Sequence, residues 1–485
     1  MTASNAKPLL QISLQSNRFD CDNLRVLRLS GSSAISQLYA FDLLVVCLDR
    51  KGLSIPDILG EAVTIIFDTV DEDHAQRIHG IIAEVDDHLA DSAEQRAYRF
   101  RIMPRAKRLE LGFMQEIFLG NTVPELLQGK LDRVGLSGED VILQLQATYA
   151  PREFVVQYRE TDLAFVSRLA EHVGISFYFH HGDEYDVMIF TDIAGGFGHG
   201  GKREADFHPR GDLASVFELH AEHRLASKYY TVHDYNYRLP QVAPRGEHEL
   251  PPEVGYAGEV VEYGAHVKTA EEAATIARVR AEEHQARQLV YVGKSTLPFV
   301  QPGMRLTVSN HPDLDTLDLL IVEVTHEATQ QVGHTNEKGS YVNSFRAITA
   351  DRMYRPPRIT PKPRIHGFLT GIIDEAGYGT DKHAPIDDQG RYLVRFLFDT
   401  AGRNERQASH RVRMLQNHAG TGYGTHFPLK ADVEVLLAFV DGDPDRPLIV
   451  GAVPNPLTPS PVVLAENSSG RIQTSSGIRV TFRDK

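Results

Sequence analysis

The chain has 485 residues, 42% hydrophobic and 24% charged, the balance of a soluble globular protein long enough for about three domains. Its formal charge is -14, with 51 Lys and Arg against 65 Asp and Glu, so phosphate is repelled overall and no nucleic-acid partner is expected. The residues Met1–Pro8 lack a basic head followed by an apolar run, so no secretory signal is expected, and the longest apolar run, Leu43–Leu48, is too short to span a bilayer.

Most of the chain alternates with period two, as half-buried strands do. Leu24–Leu29, Tyr39–Leu48 and Tyr98–Ile102 are early strands. The only cysteines, Cys21 and Cys47, fall in strand-like apolar stretches and read as buried free thiols. Thr122-Val-Pro-Glu125 is a capping box with an early proline, opening a helix to about Val134. Asp162–Val173 forms the next helix, with Leu163, Val166, Leu169, Ala170 and Val173 on one face and Gly174 as the stop. A third helix starts at the box Thr269-Ala-Glu-Glu272 and runs to about Gln288.

Residues 1–355 read as the first module, and the proline-rich stretch 356–364 as a stiff linker. Residues 365–453 hold five strands: Ile365–Asp374, Arg391–Phe398, Arg411–Leu415, Val433–Phe439 and Leu448–Val453. Tyr392, Val394, Phe396 and Phe398 share one face, as do Val433, Val435, Leu437 and Phe439, which suggests a small closed barrel of OB type. A second proline-rich linker, 454–464, leads to 465–485, two short strands about a Ser-Ser-Gly turn. Such a hairpin is marginally stable alone.

The chemical motifs are weak. Val292-Gly-Lys-Ser-Thr296 lacks the upstream glycine of a phosphate loop, Gln288 standing there, and Pro298 and Pro302 follow where a helix is needed. Gly420-Thr-Gly-Tyr-Gly424 has no βαβ unit around it and reads as a loop between strands. Asp441-Gly-Asp-Pro-Asp445 lacks the distant Glu of a calcium loop and reads as a tight, solvated turn whose shape, not acidity, matters. His180-His181 and His220-Ala-Glu-His223 lack the helical signature of a zinc hydrolase and read as surface or strand histidines. No nucleophile elbow or Cys–His signature is found.

Two stretches carry a resemblance. Gly424-Thr-His-Phe427-Pro428, followed by Val433–Asn455 with Glu434 and the run Asp441-Gly442-Asp443-Pro444-Asp445-Arg446-Pro447, resembles the most recognisable segment of the VgrG proteins of type VI secretion. Arg152-Glu153-Phe-Val-Val-Gln157-Tyr158-Arg159-Glu160-Thr-Asp162-Leu-Ala-Phe165 through Leu169, then Gly174–Phe179, is similar to the hub motif of that family. Weaker similarity runs from Ile35–Tyr39 through Ile78–Ile81. The chain departs after Lys430, where Ala431-Asp432 replaces an expected glycine, and it stops at Lys485, where the family usually continues into a long β-helix.

The resemblance implies a mainly β fold with a few helices: a phage-hub-like module with two tube-protein-like barrels, an OB-fold barrel and the first strands of a C-terminal trimeric β-helix. It implies a homotrimeric hub and spike that caps a hexameric secretion tube, meets baseplate proteins, carries effectors and receives a zinc-binding PAAR-type tip. It implies synthesis in the cytoplasm and export by the contractile machine. No catalytic residue, cofactor or metal is expected, so the protein is read as no enzyme. The rival readings are a hub of a contractile phage or phage-like particle, an envelope-degrading hydrolase on this scaffold, and a carbohydrate-binding β-protein, disfavoured by the absence of Trp.

Overall fold

The computed structural model describes residues 10–49, 52–69, 76–88, 96–209, 214–331, 339–374, 383–399 and 409–483. The chain divides into two compact units. One comprises Met1–Gly112, Val123–Tyr149 and Asp162–Pro361, the other Phe113–Thr122, Ala150–Thr161 and Lys362–Lys485.

The first unit opens with β1 (Leu10–Gln15), β2 (Leu24–Ala34), β3 (Ala40–Cys47), a one-turn helix α1 (Ile55–Ile58), β4 (Ala62–Thr69), β5 (Gln76–His88) and β6 (Arg96–Met103). The strands bond in the order β1-β4-β5-β6-β3-β2. Alternation sets the faces. Tyr98, Phe100 and Ile102 are buried opposite Val45, Leu43 and Phe41, while Arg99 and Arg101 stay outside and pair with Asp42. The Gln330 amide joins the ends of the row. Its Oε1 accepts from Ile12 N at 2.7 Å, and its Nε2 donates to Ile12 O at 2.8 Å and Val26 O at 3.0 Å, closing a barrel. Cys47 is buried in β3, but Cys21 lies half-buried between β1 and β2, outside any strand. Burial, then the neighbouring Asp20, pushes its thiol up to about 11.

Next come β7 (Phe113–Phe118), α2 (Val123–Arg133), β8 (Val141–Gln144), β9 (Val155–Thr161), α3 (Asp162–Val173), β10 (Ser176–His181) and β11 (Asp186–Thr191). β7 and β9 belong to the second unit. In the first, β10-β11-β8 form a small sheet, and Lys130 of α2 bonds Asp162 of α3 at 2.7 Å, both side chains 2% exposed. α3 ends at Gly174 with φ +78, where a side chain would also strike Val279 and Arg355.

A second barrel follows. Its strands are β12 (Lys202–Asp206), β13 (Val216–His223), then, after β14 (Tyr229–His233), β15 (Arg245–Glu249), β16 (Glu259–Tyr263) and α4 (Ala270–Gln285), β17 (Leu289–Ser295), β18 (Arg305–His311), β19 (Leu314–Thr329) and β20 (Ser340–Thr349). The order is β13-β17-β20-β19-β18-β12, and a parallel bridge from Phe207 to Val216 closes it. β19 serves both barrels: Leu314–Leu320 pairs with β18, and Glu323–Thr329 with β2. Among the described residues, twelve strands thereby form one sheet. α4 covers β15-β14-β16, and Gly246 permits the contact, since a Cβ there would lie 2.0 Å from Ala274 N. The capping box of α4 is offset. Thr269 Oγ1 accepts from Glu272 N, but the Glu272 carboxylate accepts from Lys268 N, one residue before the cap.

The second unit contains β21 (Leu369–Ile373), β22 (Tyr392–Phe396), β23 (Ser409–Val412), a short hairpin of β24 (Ala419–Gly420) and β25 (Tyr423–Gly424), β26 (Glu434–Phe439), β27 (Pro447–Ala452), and a terminal hairpin of β28 (Ser469–Gln473) and β29 (Arg479–Arg483). Among the described residues, the barrel order is β23-β22-β21-β26-β27. Leu415 N donates to Ile449 O, and Ile449 N to Arg413 O, closing the ring. Tyr392, Val394, Phe396, Val435 and Leu437 fill the core, as the alternation predicts.

Candidate functional site

The site is the acidic turn of the barrel and the strand it holds, all within the second unit. Between β26 and β27 the chain reverses through Val440–Arg446. Asp441 (φ 54) and Gly442 (φ 68) adopt left-handed backbone, which Asp and Gly tolerate best. Val440 N donates to Arg446 O at 3.0 Å and Asp443 N to Val440 O at 3.0 Å. Asp445 N donates to Asp443 Oδ1 at 2.9 Å, and Arg446 Nε stands 3.6 Å from Asp443 Oδ2. Pro444 is buried, and Pro447 opens β27 opposite Phe439.

This turn is not simply solvated, and its acids have defined partners. Asp445 is buried, with Oδ1 accepting from Val156 N at 2.7 Å and Oδ2 from Lys362 Nζ at 2.7 Å. Lys362 Nζ also bonds Asp443 Oδ1 at 2.6 Å. Arg364 Nη1 donates to Asp441 O at 2.7 Å and pairs with its Oδ2 at 3.0 Å, while Ile365 N donates to Gly442 O at 2.8 Å. A buried carboxylate needs such donors, because desolvation otherwise penalises its charge.

Val156 belongs to the resemblance's hub motif, which is split between the units at Thr161 and Asp162. Its first part does not belong to an unbroken module 1–355. β7 and β9 pair with each other, and Ile117, Phe154, Val156 and Tyr158 join the barrel core. Phe154 stacks on His410 at 4.1 Å, and Tyr158 meets Phe398 edge-on. Arg152 exchanges backbone hydrogen bonds with Gly120 and Asn121, and Glu153 pairs with Arg391 at 3.5 Å. Gln157 and Glu160 are buried and joined through Gln157 Nε2 and Glu160 O. Arg159 is the bulged residue, with φ 49, lying over the Tyr158 ring. The second part of the motif, Asp162, Phe165 and Gly174, builds α3 of the first unit.

The remaining motif residues have other places. Phe427 and Pro428 are exposed. Glu434 is half-buried and accepts from Asn455 Nδ2 at 2.9 Å. Asp432 has φ 61, so it supplies the left-handed turn where glycine was expected. The stretch 356–364, which holds the boundary between the units, is docked together with Arg355 on the first unit up to Thr360. Arg355 donates to Glu282 Oε2 and to the carbonyls of Gly174 and Asp192, Arg358 pairs with Glu262, and Thr360 donates to Glu171, all within the first unit. Sequence reasoning missed Lys362 and Arg364. The available signal was two cations spaced by one proline in a chain with a conspicuous acidic turn.

The weaker motifs have structural places. Val292–Ser295 lies in β17, with Gly293 under the Phe345 ring, Lys294 paired with Glu218, and Ser295 donating to Asn343. His220 and His223 are exposed on β13, whereas His181 is half-buried at the end of β10, and desolvation there lowers its pKa to about 3.

A family model for the phage tail baseplate hub (GPD) matches residues 32–332. The chain belongs to that family. A second model, the type VI secretion system/phage-baseplate injector OB domain, matches residues 382–453 of this hub. Several of its relatives are VgrG proteins. The type VI secretion system spike protein VgrG4b of Pseudomonas aeruginosa is 30% identical, over 94% of this chain and 57% of its own length. VgrG3 of Vibrio cholerae is 26% identical, over 81% of this chain and 39% of its own. The chain thus spans less than two thirds of either relative. Among solved structures, an E. coli protein, c3393, described as a type VI secretion component similar to the T4 tail proteins gp27 and gp5, superposes with a TM-score of 0.67 at 25% identity, covering 91% of this chain and 99% of its own. The Francisella PdpA-VgrG complex shares the fold, with a TM-score of 0.61 at 9% identity over 98% of this chain and 75% of that one.

Proposed function

We propose that this chain is the hub, and the beginning of the spike, of a type VI secretion machine, working as a homotrimer. The observation that carries the reading is the pair of barrels sharing β19, closed separately by Gln330 and by the Phe207–Val216 bridge. Two barrels per chain make six in a trimer, a ring that meets a hexameric secretion tube. The OB barrel and the β28–β29 hairpin begin the shaft, whose continuation would receive a PAAR-type tip.

The work is mechanical. Asp445 ties β9 to the barrel turn and Lys362 ties the segment after Pro361 to the same turn, so force along the shaft is shared between chain segments rather than borne by one. Covalent chemistry has no part in this role. The catalytic-looking residues of β17 are held by strand pairing and side-chain bonds that a folded barrel needs. Partners are the tube, baseplate proteins and effectors. Effector carriage is supported by the kinds of relative: one is the actin cross-linking toxin VgrG1 of Vibrio cholerae, 25% identical over 81% of this chain and 36% of its own length. Synthesis in the cytoplasm and export by the machine follow from the role. Among the described residues, no helix is long and apolar enough to cross a membrane.

A hub in a phage-like particle is the second reading, favoured by the joint description of the OB domain. Mixing the chain with the hexameric tube protein of its own gene neighbourhood and imaging by negative stain tests the proposal. Caps at tube ends are expected. Failure to bind that tube, with capping of a phage tail tube instead, would move the hub to the second reading.

A further inference from the structure

Inside the first unit, β2, β3, β5, β10, β19 and the connection from β17 to β18 line a partly open pocket of about 20 Å³. One water needs ~10–15 Å³. Its wall is largely apolar, with Phe41, Ile78 and Phe179, yet His326 and Gln301 also line it. His326 is buried, and neither its Nε2 nor Gln301 Nε2, both out of solvent, has a hydrogen-bond partner in the protein.

Local bonding assigns the His326 tautomer. Asn343 is oriented by donating to Leu297 O at 2.7 Å while its Oδ1 accepts from Ser295 Oγ at 2.7 Å. Asn343 Nδ2 also donates to the Tyr341 hydroxyl at 3.0 Å. That hydroxyl therefore gives its own proton to His326 Nδ1, 2.8 Å away. The ring proton is then on Nε2, so both unpartnered atoms are donors. A guest must accept from them. Neither Lys nor Arg lines the pocket, and a buried anion without a counter-charge is strongly disfavoured, so the guest is neutral.

We infer that this pocket is a binding site for one neutral, water-sized hydrogen-bond acceptor, a structural water in the isolated protein, bridging His326 of β19 and Gln301. The inference does not depend on the assembly proposed above. High-resolution diffraction of the full chain, with and without a bromide soak, tests it. One density peak within hydrogen-bond reach of both atoms, without bromide anomalous signal, is expected. A bromide peak would overturn the neutral guest, and a site without density would overturn the guest itself. Nitrogen-15 NMR of the unaltered protein gives a second reading. The Nε2–H tautomer of His326 is expected, and the Nδ1–H tautomer would remove the donor on which the inference stands. The variant Gln301→Leu should fold and lose the density peak; a peak unchanged in that variant would contradict the bridge.

Discussion

At the residue scale, Asp445 is the pivot of the acidic turn. Asp445→Ala removes a buried acceptor of Val156 N and one partner of Lys362, and should destabilise the barrel unit by about 2–4 kcal/mol. Lys362 is about a third exposed, so Lys362→Met should cost only ~1 kcal/mol after solvent screening. Asp441→Asn keeps a side chain suited to φ 54 and should change stability by less than ~0.5 kcal/mol. Urea unfolding ranks the three, and equal losses for Asp441→Asn and Asp445→Ala would refute the clasp. The turn itself was legible in Asp441–Arg446, because Gly, Pro and Asp carry local turn chemistry. Its clasp was not, since Asp445 and Val156 are 289 positions apart and no local pattern encodes that meeting.

At the scale of elements, alternation and capping were the legible signals. The strands Tyr98–Ile102 and Val433–Phe439 and the helix after Thr122 all fall close to where the sequence puts them, because each carries its own period or cap. The proline-rich composition reported stiffness, and the boundary between the units falls inside that stretch, but the docking of Arg358 and Thr360 was not legible, because composition carries no partner. Val435 is wholly buried, so Val435→Asp should unfold the barrel, losing ~1.5–3 kcal/mol of burial and several more in desolvation. Glu434→Lys loses only the Asn455 bond and should cost ~1 kcal/mol. Matching melting temperatures for the two would contradict the register. The first unit should be acid-sensitive. Burial lowers His326 to about 4 and His181 to about 3, and also lowers His79 and His180. Below the ordinary value near 6.5, the unfolded chain binds protons that the folded state excludes. Stability is therefore full above pH 6.5 and falls on acidification by up to ~1.4 kcal/mol per pH unit per histidine, until the folded pKa is reached. Urea midpoints at pH 7 and pH 5 check this, and equal midpoints would contradict it.

At the scale of the whole molecule, the terminal hairpin leaves Ile472, Ile478, Val480 and Phe482 exposed on the single chain. Burying them between chains contributes about 2 kcal/mol each. Ordering ~15 residues opposes this with on the order of 15–30 kcal/mol of backbone entropy. The hairpin alone therefore does not drive assembly, and a chain ending before Glu466 should sediment as the same oligomer as the full chain. The purified protein should also hydrolyse ATP, peptidoglycan, phospholipid and peptide no faster than background, and turnover abolished by one substitution would end the mechanical reading. A hub built from two barrels per chain requires a trimer. Light scattering on the purified chain at micromolar concentration should give three times the 54.1 kDa chain mass, and a monomer mass under those conditions would contradict the trimeric hub.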